Sequence, residues 1–246
     1  MSNGIKVKKR NGRGTEALNL EKMHKMVDEA TQGLAGVSAS QVEIQSGIQF
    51  YDGITTAEIQ EILIKSASDL IDLDHPNYQF VAARLLLFSI RKSLYGRSRE
   101  LPQLEDHIVK CVSQEVYDGD IYSKYSKEDI EKANGYIDHN RDFLFTYAGL
   151  RQVVDKYLVQ DRSTGQVYET PQFMYMMIAL TIFAEYPKET RLNYVKRYYD
   201  AISKHKINIP TPIMAGVRTP IRQFASCVLV DIDDTLDSIF SSDMAI

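Results

Sequence analysis

The pattern of apolar and polar residues at the start of the chain predicts a short β-hairpin followed by an amphipathic helix. Residues 5–10 and 15–18 flank Asn11-Gly-Arg-Gly14, and Asn-Gly supplies the positive φ angles that a tight turn requires. Asn19 can then cap a helix, because apolar residues follow it at helical spacing. These residues are Met23, Met26, Val27 and Ala30.

Three more helices are predicted before residue 97. Ser40 to Glu43 and Thr55 to Glu58 both fit the capping box, in which a hydroxyl and a carboxylate satisfy free amides at a helix start. The helix that begins at Thr55 has to end before Pro76. The apolar residues of Tyr78–Tyr95 predict a further helix that stops at Gly96. Residues 1–97 are therefore predicted to form one domain, a hairpin with four helices.

The pattern stays helical over a second predicted domain, residues 98–206. Ser-Thr-Gly165 separates two short strand-like runs within residues 157–170 and predicts a second hairpin. Pro171 restarts a helix, and a long helix is predicted over residues 187–206. Its residues expected to face the core are Leu192, Tyr194, Val195, Tyr198, Tyr199 and Ile202.

Residues 207–246 have a different character and are predicted to form a third unit. Residues 207–213 and 227–232 are short apolar runs of the kind found in a buried parallel sheet. Leu236 opens a helix that carries no C-cap signal up to Ile246. The chain is therefore expected to be incomplete as a fold.

Composition excludes several classes of protein. The 246 residues carry a formal net charge of −4, and the sequence pI is about 5.8, so no DNA partner is expected. The longest apolar run, residues 173–184, is too short to cross a bilayer, and the N-terminus lacks the apolar segment of a signal peptide. We expect a cytoplasmic protein. Its two cysteines, Cys111 and Cys227, give neither a disulfide framework nor a metal site.

One set of residues could converge on a polyphosphate. Lys9, the segment Glu16 to Lys22 at a helix start, Thr56 at another helix start and Lys92 offer amides and positive charge. No Walker A sequence is present, so hydrolysis is not indicated. Helix caps usually only cap and lysines are usually solvated, so the pattern alone favours an ordinary surface.

The residues around Cys227 leave two interpretations open. A free cysteine in a strand is most often a small buried apolar residue, and the pattern alone favours that interpretation. Thr211 and Ser226 nevertheless offer hydroxyl groups near the same strand ends, where α/β sheets bind ligands. Cys111 lies on a helical pattern and is expected in the core. The aspartates of Asp231 to Thr235 are expected to form a solvated turn rather than a cation site.

Six segments along the chain are considered together: Val7 to Gly12, Ile48 to Ile54, Tyr78 to Arg84, Glu189 to Arg191, Pro210 to Pro220 and Arg222 to Cys227. They resemble the large, catalytic subunit of class I ribonucleoside-diphosphate reductase over the whole chain. The resemblance implies a mainly α fold: an ATP-cone, a helical domain, and the first strands of an incomplete ten-stranded α/β barrel.

The resemblance also implies a role for each candidate residue. The residues expected to bind the allosteric effectors ATP and dATP are Lys9, Glu16, Ala17, Leu18, Asn19, Leu20, Glu21, Lys22, Thr56 and Lys92. Thr211, Ser226 and Cys227 match the substrate site, and Cys227 matches one of two cysteines that reduce the 2′ carbon. Asp234, Thr235 and Leu236 match the start of a dNTP specificity site. Ala225 departs from the family, since many relatives have serine there.

The partners implied by the resemblance follow from what these 246 residues lack. The radical cysteine, its companion glutamate and asparagine, the second reducing cysteine and a C-terminal thiol tail all belong to later sequence. The chain alone is therefore expected to be inactive, as a split form completed by a second chain or as a truncated remnant. The family further implies homodimerisation, a metal-containing small subunit that supplies a radical, and thioredoxin or glutaredoxin as reductant. The alternatives are a nucleotide sensor without chemistry and a folding scaffold.

Overall fold

The computed structural model describes residues 4–9, 14–96, 98–221 and 224–245. The predicted N-terminal hairpin is confirmed: β1 (Lys6–Lys8) pairs antiparallel with β2 (Thr15–Ala17), and Val7 lies opposite Glu16. Arg10 and the predicted turn residues 11–13 lie outside the described residues. The Val7 side chain is buried, so the hairpin packs one face against the core of the first domain.

The rest of the described chain is mainly helical, as predicted. The α-helices, in chain order, are α1 (Leu20–Thr31), α2 (Ala39–Gly47), α3 (Thr56–Asp69), α4 (Tyr78–Tyr95), α5 (Leu104–Ser113), α6 (Ile121–Lys124), α7 (Lys127–Asn134), α8 (Tyr147–Gln152), α9 (Pro171–Ile182), α10 (Arg191–Ser203), α11 (Thr211–Gly216) and α12 (Leu236–Ala245). A 3-10 helix, His139–Leu144, precedes α8, and a π-helix, Val153–Tyr157, follows it.

The capping box predicted at α3 is confirmed. The backbone N–H of Thr55 donates to Glu58 Oε2 at 2.8 Å, and the N–H of Glu58 donates to Thr55 Oγ1 at 3.1 Å. Strand β1 lies beside this helix start, because the N–H of Lys8 donates to the carbonyl of Ile54 at 2.9 Å. The hairpin and the N-terminus of α3 are thus fixed next to each other.

The capping box predicted at Ser40 is wrong. Helix α2 begins at Ala39, and its N-cap is Ser38, whose hydroxyl accepts from the N–H of Gln41 at 3.4 Å. The reason is a contact with a distant residue: the Tyr78 hydroxyl accepts from the Ser38 N–H at 3.0 Å. This bond fixes an extended backbone at Ser38, so the helix starts two residues earlier than the pattern indicates.

Helix α4 has the bounds that its sequence predicts. It ends where Gly96 adopts a left-handed conformation with φ of 73°, and the Gly96 N–H donates to the Lys92 carbonyl at 2.9 Å. Its side chains are buried around most of its circumference, including Leu85, Leu87 and Phe88. One side packs against α1 and α3 and the other against α8 and the 3-10 helix, so α4 connects the two predicted domains.

The second predicted domain forms around α9, whose side chains are buried along almost its whole length. Helix α10 packs against it through Val195, Tyr199 and Ile202, as predicted. The prediction that Tyr194 faces the core is wrong, since its side chain is 40% exposed. It begins at Arg191, later than the predicted start at Pro187, because residues 187–190 form a turn in which the Arg191 N–H donates to the Pro187 carbonyl at 2.9 Å.

The second predicted hairpin is present in a reduced form. Residues Gln160 and Val167 make a single antiparallel bridge, and the N–H of Tyr168 donates to the carbonyl of Val159 at 2.9 Å. The two runs do not extend into strands in the described chain. Gly165 closes the loop with φ of 72°, a conformation that favours glycine.

The two runs predicted as barrel strands do not form strands among the described residues. Thr211–Gly216 is helix α11, and residues 224–233, ahead of α12, pair with no described strand. A strand needs a second strand for its amides and carbonyls, whereas the bonds of this segment run to serines of α12: the Asp233 N–H donates to Ser238 Oγ at 2.8 Å, and Ser242 Oγ donates to the Asp231 carbonyl at 3.4 Å. Val228 and Leu229 are therefore 82% and 99% exposed. The assignment of this region to a barrel stays a prediction.

A buried ion pair holds α11 against the second hairpin. The Arg218 guanidinium and the Glu169 carboxylate are fully buried, with Arg218 Nε at 2.9 Å from Glu169 Oε2. The same guanidinium donates to the carbonyls of Met214, at 2.6 Å, and Tyr157, at 3.0 Å. The pair thus joins the end of α11 to the π-helix and the hairpin.

We expect Glu169→Gln to lower the free energy of unfolding by about 3–5 kcal/mol, because it leaves the buried Arg218 charge without its counter-ion. Urea denaturation followed by circular dichroism measures this loss. The control is Glu185→Gln, since the Glu185 side chain is 79% exposed and pairs with Lys124 at the surface. Equal stability of the two variants would contradict the role assigned to Glu169.

Candidate functional site

A small cavity of about 170 Å³ lies where the hairpin meets the starts of α1 and α3 and the end of α4. It brings together most of the residues that the sequence places in one effector site. The predicted residues that line it are Glu16, Ala17, Leu18, Asn19, Lys22, Thr56 and Lys92. The cavity thus gathers residues that are up to 76 positions apart, from Glu16 to Lys92, from four different elements.

Local structure explains how α1 presents its N-terminus to this cavity. The Asn19 side chain accepts from the N–H of Lys22 at 2.9 Å, as its predicted N-cap role requires. Free amides at a helix start carry partial positive charge and bind anions. The capped start of α3 places Thr56 on the cavity wall.

Positive charge surrounds one carboxylate at the cavity. Lys9 Nζ lies 3.1 Å from Glu16 Oε2. The hydrogen bond and charge of Lys9 lower the pKa of Glu16, and the charges of Lys22 and Lys92 lower it further. Three lysines therefore act on one carboxylate at the cavity.

The cavity also has an apolar wall that the sequence prediction missed. Val7, Met23, Met26 and Ile59 line it, together with the polar Gln60. Gln60 is only 4% exposed, and its Nε2 atom lies 3.6 Å from Met26 Sδ. Helical spacing offered a signal, because Thr56, Ile59 and Gln60 share one face of α3 and a polar residue on a buried face is unusual. Apolar walls with one amide suit a heterocyclic base.

A wider hollow between α1 and the end of α4 adjoins the cavity. Lys22, Met26, Gln60 and Lys92 border both spaces, and the outer one has a volume of about 570 Å³. Small-molecule sites commonly measure about 300–1,000 Å³. The inner cavity is smaller than this range, whereas the adjoining hollow falls within it.

Two of the predicted effector residues lie elsewhere. Leu20 and Glu21 line a separate groove, in which Phe50 also takes part. The reason is helical geometry, since each residue turns the side-chain direction by about 100° and Lys22 already faces the cavity. Lys9 is not part of the cavity wall, but its ion pair with Glu16 places it at the rim.

The predicted substrate residues are not assembled into one pocket by the described residues. Thr211 opens α11, and its hydroxyl lies 3.3 Å from the Tyr157 hydroxyl. Ser226 Oγ and Cys227 Sγ are 3.8 Å apart on the unpaired segment. Cys227 is exposed, so the expectation of a small buried residue is wrong; no described segment packs over it.

The three residues predicted for the dNTP specificity site lie next to one another. Asp234, Thr235 and Leu236 lie at the start of α12, where the Ser238 N–H donates to Thr235 Oγ1 at 3.2 Å.

Cys111 is in the core, as expected, and burial raises the pKa of its thiol to about 12. Burial lowers the pKa of the adjacent His107 to about 3. The two side chains are therefore neutral near pH 7.

Neither a metal-binding cluster nor a membrane-spanning helix occurs among the described residues. Across residues 4–9, 14–96, 98–221 and 224–245, no group of three or more His, Cys, Asp or Glu side chains is arranged to hold a metal ion. Within the same ranges, no helix has the length and apolar character needed to span a membrane.

Two protein-family models match the chain. The model described as "ATP cone domain" matches residues 5–93, a range that includes every predicted effector residue from Lys9 to Lys92. The model described as "Ribonucleotide reductase, all-alpha domain" matches residues 143–222, which include Thr211, Glu169 and Arg218. Neither match tests the predicted domain boundaries, which stay predictions.

Known relatives match the chain along all or most of its length. The ribonucleoside-diphosphate reductase 1 subunit alpha of Escherichia coli is 52% identical over 246 residues, which are 100% of this chain and 32% of the relative. The subunit alpha of Haemophilus influenzae is 51% identical over the same coverage. That of Enterobacteria phage T4 is 44% identical over 92% of this chain and 29% of the relative. The chain thus spans about a third of these relatives' length.

The pKa of Glu16 provides a test of the charge arrangement at the cavity. We expect the Glu16 carboxyl to titrate below the usual glutamate range, and Lys9→Met to raise its pKa. A lowered pKa in the folded state means that the ion pair stabilises the fold at neutral pH and that this stabilisation is lost as the pH falls. Carbon-13 NMR of the Glu16 carboxyl measures the titration.

The matched control for this titration is Lys65→Met, which removes an exposed lysine of α3 that lies outside the cavity. We expect this variant to titrate like the wild type. A Glu16 pKa that is the same in the Lys9→Met variant and in the wild type would show that Lys9 does not act on this carboxylate in solution.

Proposed function

We propose that the chain, which is similar over its whole length to part of ribonucleoside-diphosphate reductase alpha subunits, provides the ATP- and dATP-binding regulatory part of such a subunit. The observation that carries this proposal is the cavity between the hairpin, α1, α3 and α4, which lies within the segment matched by the ATP cone. Its lysines, helix start and apolar wall supply the three features that an adenine nucleotide needs.

Each part of the nucleotide has a matching group in the proposed site. The phosphates bind Lys9, Lys22 and Lys92 and the free amides at the start of α1. The base lies against the apolar wall formed by residues such as Met23 and Ile59, and the Gln60 amide offers it a donor and an acceptor. Thr56 contributes a hydroxyl at the capped start of α3.

We further propose that the C-terminal part contributes to the reduction of ribonucleoside diphosphates. Thr211 and Ser226 bind the substrate, and Cys227 acts with a second cysteine from outside these 246 residues. The two thiols are oxidised to a disulfide, the 2′ C–O bond breaks, and the oxygen leaves as water. The product is a 2′-deoxyribonucleoside diphosphate. Asp234, Thr235 and Leu236 belong to the dNTP specificity site of the dimer.

The proposed reaction requires partners. The rest of the catalytic barrel, on a second chain in the arrangement that we propose, completes the substrate site. A metal-containing small subunit supplies the radical, and thioredoxin or glutaredoxin reduces the disulfide. Exposed thiols such as Cys227 stay reduced in the cytoplasm, where we place these steps.

A binding protein without chemistry is the second candidate. The observation that favours it is that the effector cavity is assembled within the described residues, whereas Thr211 and Cys227 are not enclosed in a common pocket. Such a sensor would bind dATP but would never support turnover. Mass spectrometry of the proteins that co-purify with the chain separates the two cases, since only a reductase requires the barrel and the small subunit.

We expect Lys92→Gln to weaken dATP binding at least tenfold, because a hydrogen bond to a charged group contributes about 1.5–3 kcal/mol and about 1.4 kcal/mol is a factor of ten. Isothermal titration calorimetry of the chain with dATP measures the affinity. The matched control is Lys65→Gln, an exposed lysine of α3, which is expected to bind like the wild type. A wild-type chain without dATP affinity would contradict the effector site.

We expect Cys227→Ser to abolish multiple turnover of the assembled reductase, because serine cannot supply the electrons of a disulfide couple. Conversion of a ribonucleoside diphosphate is measured with the complete set of subunits, and dATP affinity is expected to stay unchanged. Undiminished turnover in the variant would exclude Cys227 from the chemistry.

A further inference from the structure

Helix α4 carries a buried ion pair directly beside a residue of the effector cavity. Lys92 lines the cavity, and the preceding Arg91 is only 5% exposed and faces the second domain. The Arg91 Nη2 atom lies 2.8 Å from Asp142 Oδ2 and 2.9 Å from the His139 carbonyl, both in the 3-10 helix. Neighbouring residues on α4 therefore serve the effector cavity and the interface between the two domains.

The Asp142 carboxylate is held by a chain of buried hydrogen bonds. The Gln172 side chain of α9 donates to Asp142 Oδ1 at 2.9 Å. The Tyr199 hydroxyl of α10 donates to Gln172 Oε1 at 2.6 Å and accepts from the Asp138 N–H at 3.0 Å. Asp142, Gln172 and Tyr199 are all nearly inaccessible. These hydrogen bonds thus fix the position of the Arg91 side chain relative to the core of the second domain.

An aromatic side chain strengthens the same contact. The Phe143 ring lies 5.2 Å from the Arg84 guanidinium and 5.8 Å from that of Arg91. Phe88 meets Phe143 edge to face, with ring centroids 6.2 Å apart. Because these three α4 residues lie about one helical turn apart, the 3-10 helix contacts two turns of α4 and resists its rotation.

We propose that Arg91 and Asp142 are positioning residues for the effector cavity: their ion pair fixes the rotation of α4 and so the place of Lys92. The inference rests on the proposed binding of ATP or dATP at that cavity. Lys92 follows Arg91 by about 100° around the helix axis, so a rotation that frees Arg91 also moves the Lys92 side chain along the cavity wall.

The coupling has to act in both directions. If the ion pair favours the effector-binding arrangement of α4, then bound effector favours the ion pair by the same factor. Bound dATP therefore slows amide hydrogen exchange in the 3-10 helix and at Gln172, although neither borders the cavity. A purely structural role of the pair gives no such response to the effector.

The test compares dATP affinity and thermal stability in the full chain. Asp142→Asn removes the counter-ion at nearly constant shape, and Arg91→Lys keeps the charge but loses the fork geometry. The control is Arg191→Lys, which alters another buried arginine, 2.5 Å from Asp129, on helix α10, which packs against α7 and α9. Calorimetry is done at a temperature at which circular dichroism shows every variant folded.

We expect Asp142→Asn and Arg91→Lys each to weaken dATP binding about fivefold or more, in the range of typical coupling factors, and the control to bind like the wild type. We also expect dATP to slow exchange at residues 139–144 in the wild type but not in Asp142→Asn. Variants that melt earlier yet bind dATP normally would overturn the inference, and Arg91→Lys decides it if Asp142→Asn does not fold. A wild-type chain that binds no dATP would overturn the effector site itself.

Discussion

Helix α4 has to be covered on nearly every side, because its apolar side chains point in all directions around its axis. Helices α1 and α3 cover one side, and α8 with the 3-10 helix covers the other. Leu85 and Leu87 are 1% and 0% exposed as a result. Neither predicted domain buries α4 alone, so the hydrophobic effect holds together the effector cavity and the second domain.

Buried charges give this apolar core its directional contacts. Arg91 with Asp142 and Arg218 with Glu169 lie in different parts of the fold, and each arginine also donates to backbone carbonyls. Burying a charge is unfavourable unless its partners are in place, so each pair tolerates few arrangements of the surrounding elements. Apolar packing supplies most of the cohesion, whereas the ion pairs determine how α4 and α11 are oriented.

Local chemistry made part of this fold predictable. The Asn19 cap, the capping box at α3 and the Gly96 stop all depend on residues within one turn of each other, and the structure has each of them. The start of α2 at Ala39 was not predictable in this way, because it depends on a hydrogen bond from Ser38 to Tyr78, forty residues away.

The candidate site was predictable to a similar degree. Its polar residues, such as Lys92, were candidates from helix starts and charge, and the resemblance gave them a role; helix direction then decided which of them reach the cavity. Its apolar wall, with Met23, could not be told from ordinary core by periodicity. The two predicted barrel runs are not strands among the described residues for another physical reason, since a strand is defined by pairing with a second segment and no described segment pairs with them.

The unpaired segment before α12 has a consequence for handling the protein. Its β-branched and apolar side chains lie in the open, with Val228 and Leu229 each more than 80% exposed, and its backbone pairs with no described strand. Such a segment is a template for edge-to-edge association between molecules. Concentrated solutions of the chain by itself are therefore prone to self-association and precipitation, and a chaperone that binds extended apolar peptides would recognise this stretch first.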